Sequence, residues 1–226
     1  MSNKFFIAVY TNEVKDYCDI VFFENLFLLS RGEPVFVADN TIEARYSEKL
    51  QAHFSERQYV NFTIEHLAIP EQPKESQFQR NVCDSANFLR DIYLNHFSAP
   101  YFLVIESDVL PPHGLLEMFD NAIMELDTTV TDWGIIGGIY YPGFHNYDFN
   151  SDAGFLERTN HCLSGCTVYK RELIEKYSFR YDPENLGPFP DALISIDAGQ
   201  EYSLWNDHRI RCEHLHVNGV RMSKAL

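Results

Sequence analysis

The chain has 226 residues, 45% of them hydrophobic, which suits one large α/β domain with its own core and excludes a disordered chain or a disulfide-stapled miniprotein. Lys and Arg number 18 against 33 Asp and Glu, a formal charge of -15, and a surface field of that sign repels nucleic acid and anionic lipid. There is no apolar stretch of spanning length and no secretory leader pattern, and the five cysteines are an odd, sparse set that suits reduced thiols, so a cytoplasmic protein without a transmembrane anchor is expected.

Phe5 to Tyr10 (FFIAVY) is a continuous apolar run, the pattern of a strand buried on both faces. From Val14 to Leu29 the apolar residues recur at helical spacing, and Gly32 supplies a stop. Pro34 to Ala38 predicts a second strand ending at Asp39, and Phe62 to Ile69 a third. Glu75 to Phe97 is helical in period, with Val82, Ala86, Leu89, Tyr93 and Phe97 on one side. Tyr101 to Ile105 (YFLVI) predicts another buried strand, followed at once by Glu106-Ser107-Asp108. Further on, Leu115 to Leu126 predicts a helix, and Trp133 to Tyr141 a strand whose Gly pair lets another backbone approach. Pro142 to Asn160 reads as a loop, Cys162 to Tyr169 as a strand and Arg171 to Tyr177 as a helix. Ala192 to Trp205 predicts a last helix and Ile210 to Val217 a last strand. Strands alternating with helices imply a mostly parallel sheet in a single domain, with ligands at the carboxyl ends of the strands.

Charge is distributed unevenly. Between Asp91 and Glu157 there is no Lys or Arg, yet the span holds eleven carboxylates, two of which, Glu106 and Asp108, stand at the end of a strand expected to be central. Unpaired charge is costly there, and no cation is near in sequence. A divalent ion such as Mg²⁺ or Mn²⁺ would neutralise the pair and hold substrate phosphates on its other positions. A solvated acidic turn is the plainer alternative.

YFLVIESDVLPPHGLLEMF, from Tyr101 to Phe119, resembles the aspartate-x-aspartate block of glycosyltransferases with the GT-A fold, family 2 in particular. In order after it, CLSGCTVYKRELIEK (Cys162 to Lys176) resembles the family's strand-helix element, GQEYSLW (Gly199 to Trp205) the segment carrying the base, and CEHLH (Cys212 to His216) the late strand whose histidine completes a metal site. The resemblance implies a single Rossmann-like GT-A domain, an α/β fold with a mostly parallel central sheet flanked by helices. Its nucleotide-binding half would be residues 1–110, and its acceptor and metal half 111–226.

It further implies metal-dependent transfer of a sugar from a nucleotide-diphosphate sugar to an acceptor hydroxyl, with inversion. Asp108 would contact the metal, with Glu106 in place of the usual first Asp and His216, or His214 two residues before it, as the late ligand. Glu201 would be the base, Asp197 the competing candidate and Asp191 a third. Tyr10, Thr11, Asp39, Arg80, Glu106 and Ser107 would face the nucleotide, with Asn12, Glu13 and Asn81 beside them. Tyr140, Tyr141, Phe144, His145, Tyr147 and Trp205 offer an aromatic acceptor surface. The acceptor class, whether glycan, lipid-linked sugar, protein or small molecule, stays open.

Three rival readings remain. His161, Cys162, Cys166, Cys212, His214 and His216 contain enough soft ligands for a structural zinc site. Sugar-phosphate nucleotidyltransferases use a related sheet but open with a Gly-rich basic loop that Tyr10 to Val14 lacks. An inactive nucleotide-sugar-binding protein fits the departures at Glu106 and Gln200.

Overall fold

The structure, a computed structural model, describes residues 3–68, 74–140, 155–185, 187–216 and 221–222. Its centre is an eight-stranded sheet in the order β3-β2-β1-β4-β8-β6-β9-β7. The strands are β1 (Phe5–Thr11), β2 (Val35–Asp39), β3 (Phe62–His66), β4 (Tyr101–Glu106), β6 (Trp133–Ile139), β7 (Leu156–Thr159), β8 (Cys166–Lys170) and β9 (Ser203–Arg211). β1 to β4 are mutually parallel; β8 runs against both β4 and β6, β9 is parallel to β6, and β7 closes the row antiparallel to β9. A smaller antiparallel sheet joins β5 (Val109–Leu110), β10 (Glu213–Leu215) and β11 (Arg221–Met222).

Alternation along β1 sorts the layers. Phe5, Ile7 and Val9 pack with helices α1 (Asp19–Ser30), α2 (Arg45–Glu56) and α4 (Leu115–Thr129) through Phe22, Phe23, Leu26, Leu50, Phe54 and Phe119. Phe6, Ala8 and Tyr10 face α3 (Lys74–His96), α5 (Arg171–Lys176) and α6 (Pro190–Ala198) through Leu89, Tyr93, Leu173 and Ile194. Both faces are thereby covered, which explains why β1 reads as an unbroken apolar run rather than an alternating one. No helix among the described residues is long and apolar enough to cross a membrane.

Most predicted elements are present within a few residues; β5 was not expected, and the expected strand from Ile210 to Val217 is divided between the end of β9 and β10. The predicted helix from Val14 is instead a 3₁₀ turn, Glu13–Lys15, followed by α1; Asn12 caps the turn by accepting from the Val14 N–H at 3.1 Å. α2 was not predicted, because its polar face dominates and only Tyr46, Leu50 and Phe54 among its large apolar residues are buried. The expected helix from Ala192 to Trp205 ends at Ala198, and Ser203 already opens β9. Within the expected 142–160 loop, Leu156–Thr159 is instead strand β7, drawn into the sheet by antiparallel pairing with β9, while residues 142–154, together with Ile69, Tyr141 and Val217, lie outside the described residues.

Candidate active site

The carboxyl ends of β1, β2 and β4 share one edge of the sheet, since Tyr10 pairs with Glu106 and Thr11 with Asp39 in register. At the tip of β4, Glu106 Oε1 accepts from the Tyr10 hydroxyl at 2.7 Å and from the Ser164 hydroxyl at 2.6 Å. Burial and then the Glu106 charge push the Tyr10 phenol well above its ordinary pKa, so it stays a donor. Two residues on, Asp108 is held by the small sheet: Val109 pairs with His214, and the Asp108 carbonyl accepts from the Leu215 N–H at 2.8 Å. That register brings His214 Nε2 to 3.6 Å from Asp108 Oδ2. His216 stands behind it, its Nε2 3.0 Å from His214 Nδ1. Burial holds the His214 imidazole below its ordinary pKa, against the pull of Asp108.

The cation absent from the local sequence arrives from the far side of the chain. Lys15 Nζ lies 2.8 Å from Asp108 Oδ1 and 3.8 Å from Glu106 Oε2. Burial opposes its charge, but the two carboxylates outweigh burial and its pKa ends above the ordinary lysine value. The expectation that nothing nearby neutralises the pair is therefore corrected: sequence distance hid a neighbour that the parallel pairing of β1 and β4 supplies. The same holds along the rest of the acidic span, where Asp120 meets Lys4, Glu117 meets Arg31 and Glu125 meets Arg209.

Around the tip, Tyr140 follows β6 with its ring nearly parallel to His214 at 5.8 Å between centroids. It fills the space left by Gly165, where a Cβ would come within 2.3 Å of the ring. On the other side of Ser164, the Asp191 carboxylate opens α6, with Oδ2 accepting from the Ser164 N–H at 3.1 Å and lying 3.4 Å from His161 Nε2. Past the carboxyl ends of β1 and β2, an open cleft of about 960 Å³ is lined by Asn12, Glu13, Asn40, Thr41, Phe78 and Asn81 among others.

The remaining expected site residues are placed as follows. Thr11 is buried against the Tyr46 hydroxyl at 3.3 Å, and Ser107 is fully buried. Asp39 is fully buried too, accepting from Ser47, from the Thr41 N–H at 2.8 Å and facing His66, so its oxygens point inward while Asn40 and Thr41 line the cleft. Arg80 pairs with Asp84 along α3, and Asn81 reaches the cleft. Glu201 is bound by Lys176 and by the Tyr177 hydroxyl, and Asp197 by Arg180 at 2.6 Å. The structure does not bring these two carboxylates to the β4 tip. Ser203 pairs with Trp133 at the start of β6, on the edge where β4 begins, and the length of β4 separates that edge from Glu106 by about 17 Å at roughly 3.3 Å per residue. Their partners hold both carboxyls below the usual range, the Lys176 contact foremost for Glu201 and the Arg180 contact for Asp197. Trp205 lies mid-strand on β9, packed toward the core, and Tyr141, Phe144, His145 and Tyr147 are outside the described residues.

Among the described residues no three His, Cys, Asp or Glu side chains converge on one metal position. The five cysteines are reduced and buried, and they join no group of three or more candidate metal ligands among the described residues, so the soft-ligand zinc cluster does not assemble there. The Asp108 and His214 pair is a different matter. One hard oxygen and one imidazole nitrogen facing each other suit Mn²⁺, which fills its other positions with water and phosphate oxygens.

Comparison with solved structures decides the fold. The mannosyltransferase PcManGT from Pyrobaculum calidifontis, solved with GDP-Man and Mn²⁺, matches with a TM-score of 0.67 at 15% identity over 96% of this chain and 58% of that one. The chain has the GT-A fold. S. aureus TarS 1-349, solved with UDP, matches with a TM-score of 0.58 at 15% identity, covering 91% of this chain and 60% of that one. A197 from STIV matches with 0.53 at 12% identity, covering 99% and 95%. This chain thus spans about three-fifths of the length of the mannosyltransferase and of the TarS fragment. No protein-family profile and no curated protein matches it in sequence.

Lys15 and Ser164 went unread as site residues in the sequence, and His161 was read only as a zinc ligand. A signal for Lys15 existed: as parallel neighbours in one sheet, β1 and β4 put the turn after Tyr10 beside Glu106 and Asp108.

Proposed function

We propose that this GT-A chain transfers a sugar from a nucleotide-diphosphate sugar to an acceptor hydroxyl, with inversion at the anomeric carbon. The observation that carries the reading is the row formed by Asp108, Lys15, Glu106, Ser164 and Asp191 along one sheet edge, next to an open cleft. In that row the cationic end is suited to a diphosphate and the other end offers a carboxylate to an incoming hydroxyl. The neighbours were solved with GDP-Man and with UDP, and a nucleotide of that kind is what the cleft between Asn12 and Asn81 would take.

The division of labour follows from position. Asn40, Thr41 and Asn81 offer polar groups to the base and ribose, while Asn12 and Glu13 line the way to Lys15. Lys15 meets the diphosphate charge from the β1 side. Asp108 and His214 would hold a divalent cation, which supplies Lewis-acid stabilisation to the leaving diphosphate. Tyr10 and Ser164 keep Glu106 oriented by donating to Oε1. Asp191, anchored by the Ser164 and Ala192 N–H groups, takes the proton of the acceptor hydroxyl from the side opposite the leaving group, and attack from that side inverts the centre.

The test is release of nucleoside diphosphate from a panel of nucleotide sugars with Mn²⁺ and mixed acceptors. Asp191→Asn keeps diphosphate binding and loses about 10²-fold or more in turnover. Retained turnover in that variant removes Asp191 from the role. Binding without turnover under all donor and acceptor combinations leaves a nucleotide-sugar-binding protein instead.

A further inference from the structure

We infer that Lys15 is a resident cation that makes divalent-metal binding at Asp108 conditional on the donor diphosphate. The inference rests on the donor-site reading above and deepens it. Three observations carry it, and the first is placement. The Lys15 ammonium sits between Asp108 Oδ1 and Glu106 Oε2 at 2.8 and 3.8 Å, with only 13% of its side chain exposed. The turn that holds it is tied down on several sides: Asn12 caps it, Cys18 Sγ lies 2.9 Å from the Lys15 carbonyl and 3.2 Å from the Ser107 carbonyl, and the Tyr17 hydroxyl donates to the Leu215 carbonyl. The ammonium is thus fixed against the β4 tip by the same contacts that fix the tip.

The second observation is a shortage of ligands. Among the described residues only Asp108 Oδ2 and His214 Nε2 face each other there, and Glu106 Oε1 is already committed to Tyr10 and Ser164. Among the described residues a hard six-coordinate ion finds two protein ligands at this point, and it draws the rest from water or from the donor. The third is the charge count. Two carboxylates and one ammonium leave a net charge of about -1, and a dication entering beside Asp108 is repelled by an ammonium a few ångströms away. A diphosphate reverses both deficits. It brings oxygen ligands for the ion and negative charge that offsets the ammonium, and it gives Lys15 a partner of its own. Metal and donor therefore load together, and an acidic protein avoids being filled by stray divalent ions.

The experiment is a Mn²⁺ titration followed by the electron paramagnetic resonance signal of the free ion, with and without GDP and UDP, on the wild type, Lys15→Met and Lys15→Arg. The wild type binds Mn²⁺ alone weakly and much more tightly with whichever diphosphate it accepts. Lys15→Met binds Mn²⁺ alone about tenfold or more tighter than the wild type, and the tightening by diphosphate shrinks correspondingly. Lys15→Arg behaves as the wild type. Should Lys15→Met fail to fold, Lys15→Gln, which keeps a donor to Asp108 without the charge, carries the same comparison. Equal Mn²⁺ affinity in the wild type and the uncharged variant, with diphosphate binding intact, overturns this inference alone. Absence of GDP and UDP binding by the wild type, with or without Mn²⁺, overturns the donor-site reading and this inference with it.

Discussion

Gly165 follows Ser164, which bonds both Glu106 and Asp191, and its substitution has a calculable cost. A Cβ there would lie 2.3 Å from Tyr140 Cε1, 2.6 Å from Cζ and 2.9 Å from the hydroxyl oxygen, whereas ordinary contact begins at 3.4 Å. The ring must retreat by about an ångström in a packed interior, an overpacking cost of about 1–3 kcal/mol. For a chain of this size that lowers the midpoint of thermal unfolding by about 2–4 °C per kcal/mol. Urea unfolding of Gly165→Ala should show the loss as a lower midpoint with an unchanged slope. In a Tyr140→Leu background the same substitution should cost less than about 0.5 kcal/mol, because the obstructing ring is gone, so the pair couples by about 0.5 kcal/mol or more. The ring also lies against His214 at 5.8 Å, so Gly165→Ala should weaken diphosphate and Mn²⁺ binding as well. Wild-type stability in Gly165→Ala, or an equal loss in both backgrounds, would refute the packing argument.

Other expectations follow from the same geometry. Glu201→Gln and Asp197→Asn should leave turnover within about twofold of the wild type, since each carboxylate is engaged by an exposed cation remote from the β4 tip; a loss of 10²-fold or more would return the base to that edge. Ser164→Ala removes a hydrogen bond to the Glu106 carboxylate and should lower stability by about 1–2 kcal/mol in chemical denaturation; an unchanged midpoint would mean that the Tyr10 hydroxyl suffices.

The order of the elements and the acidic tip of β4 were legible because they rest on local pattern. β1 and β4 are buried on both faces and therefore read as continuous apolar runs. What escaped was the property that depends on which strands become neighbours. Lys15 is 93 residues from Asp108 in sequence and 2.8 Å from it in space, so a charge count along the chain found a void that the fold fills. The base assignment failed to converge for a related reason. Ala192 to Trp205 carries apolar residues at helical spacing, but the helix stops at Ala198 and the chain enters β9 parallel to β6, which leaves Glu201 at the edge where those strands begin. Asp191, at the other end of the same helix, faces the tip. His214 and His216 share a strand face as expected, and only the pairing of β10 with β5 determines that His214 is the one beside Asp108.

The central claim is that the β4 tip seats a diphosphate with its cation. The direct measurement is the anomalous signal of manganese in crystals grown with Mn²⁺ and GDP or UDP. The account predicts a peak between Asp108 and His214, with diphosphate oxygens on its open side and the nucleoside in the cleft beside Asn40 and Asn81. A manganese peak and a nucleotide lodged together elsewhere on the molecule would contradict it.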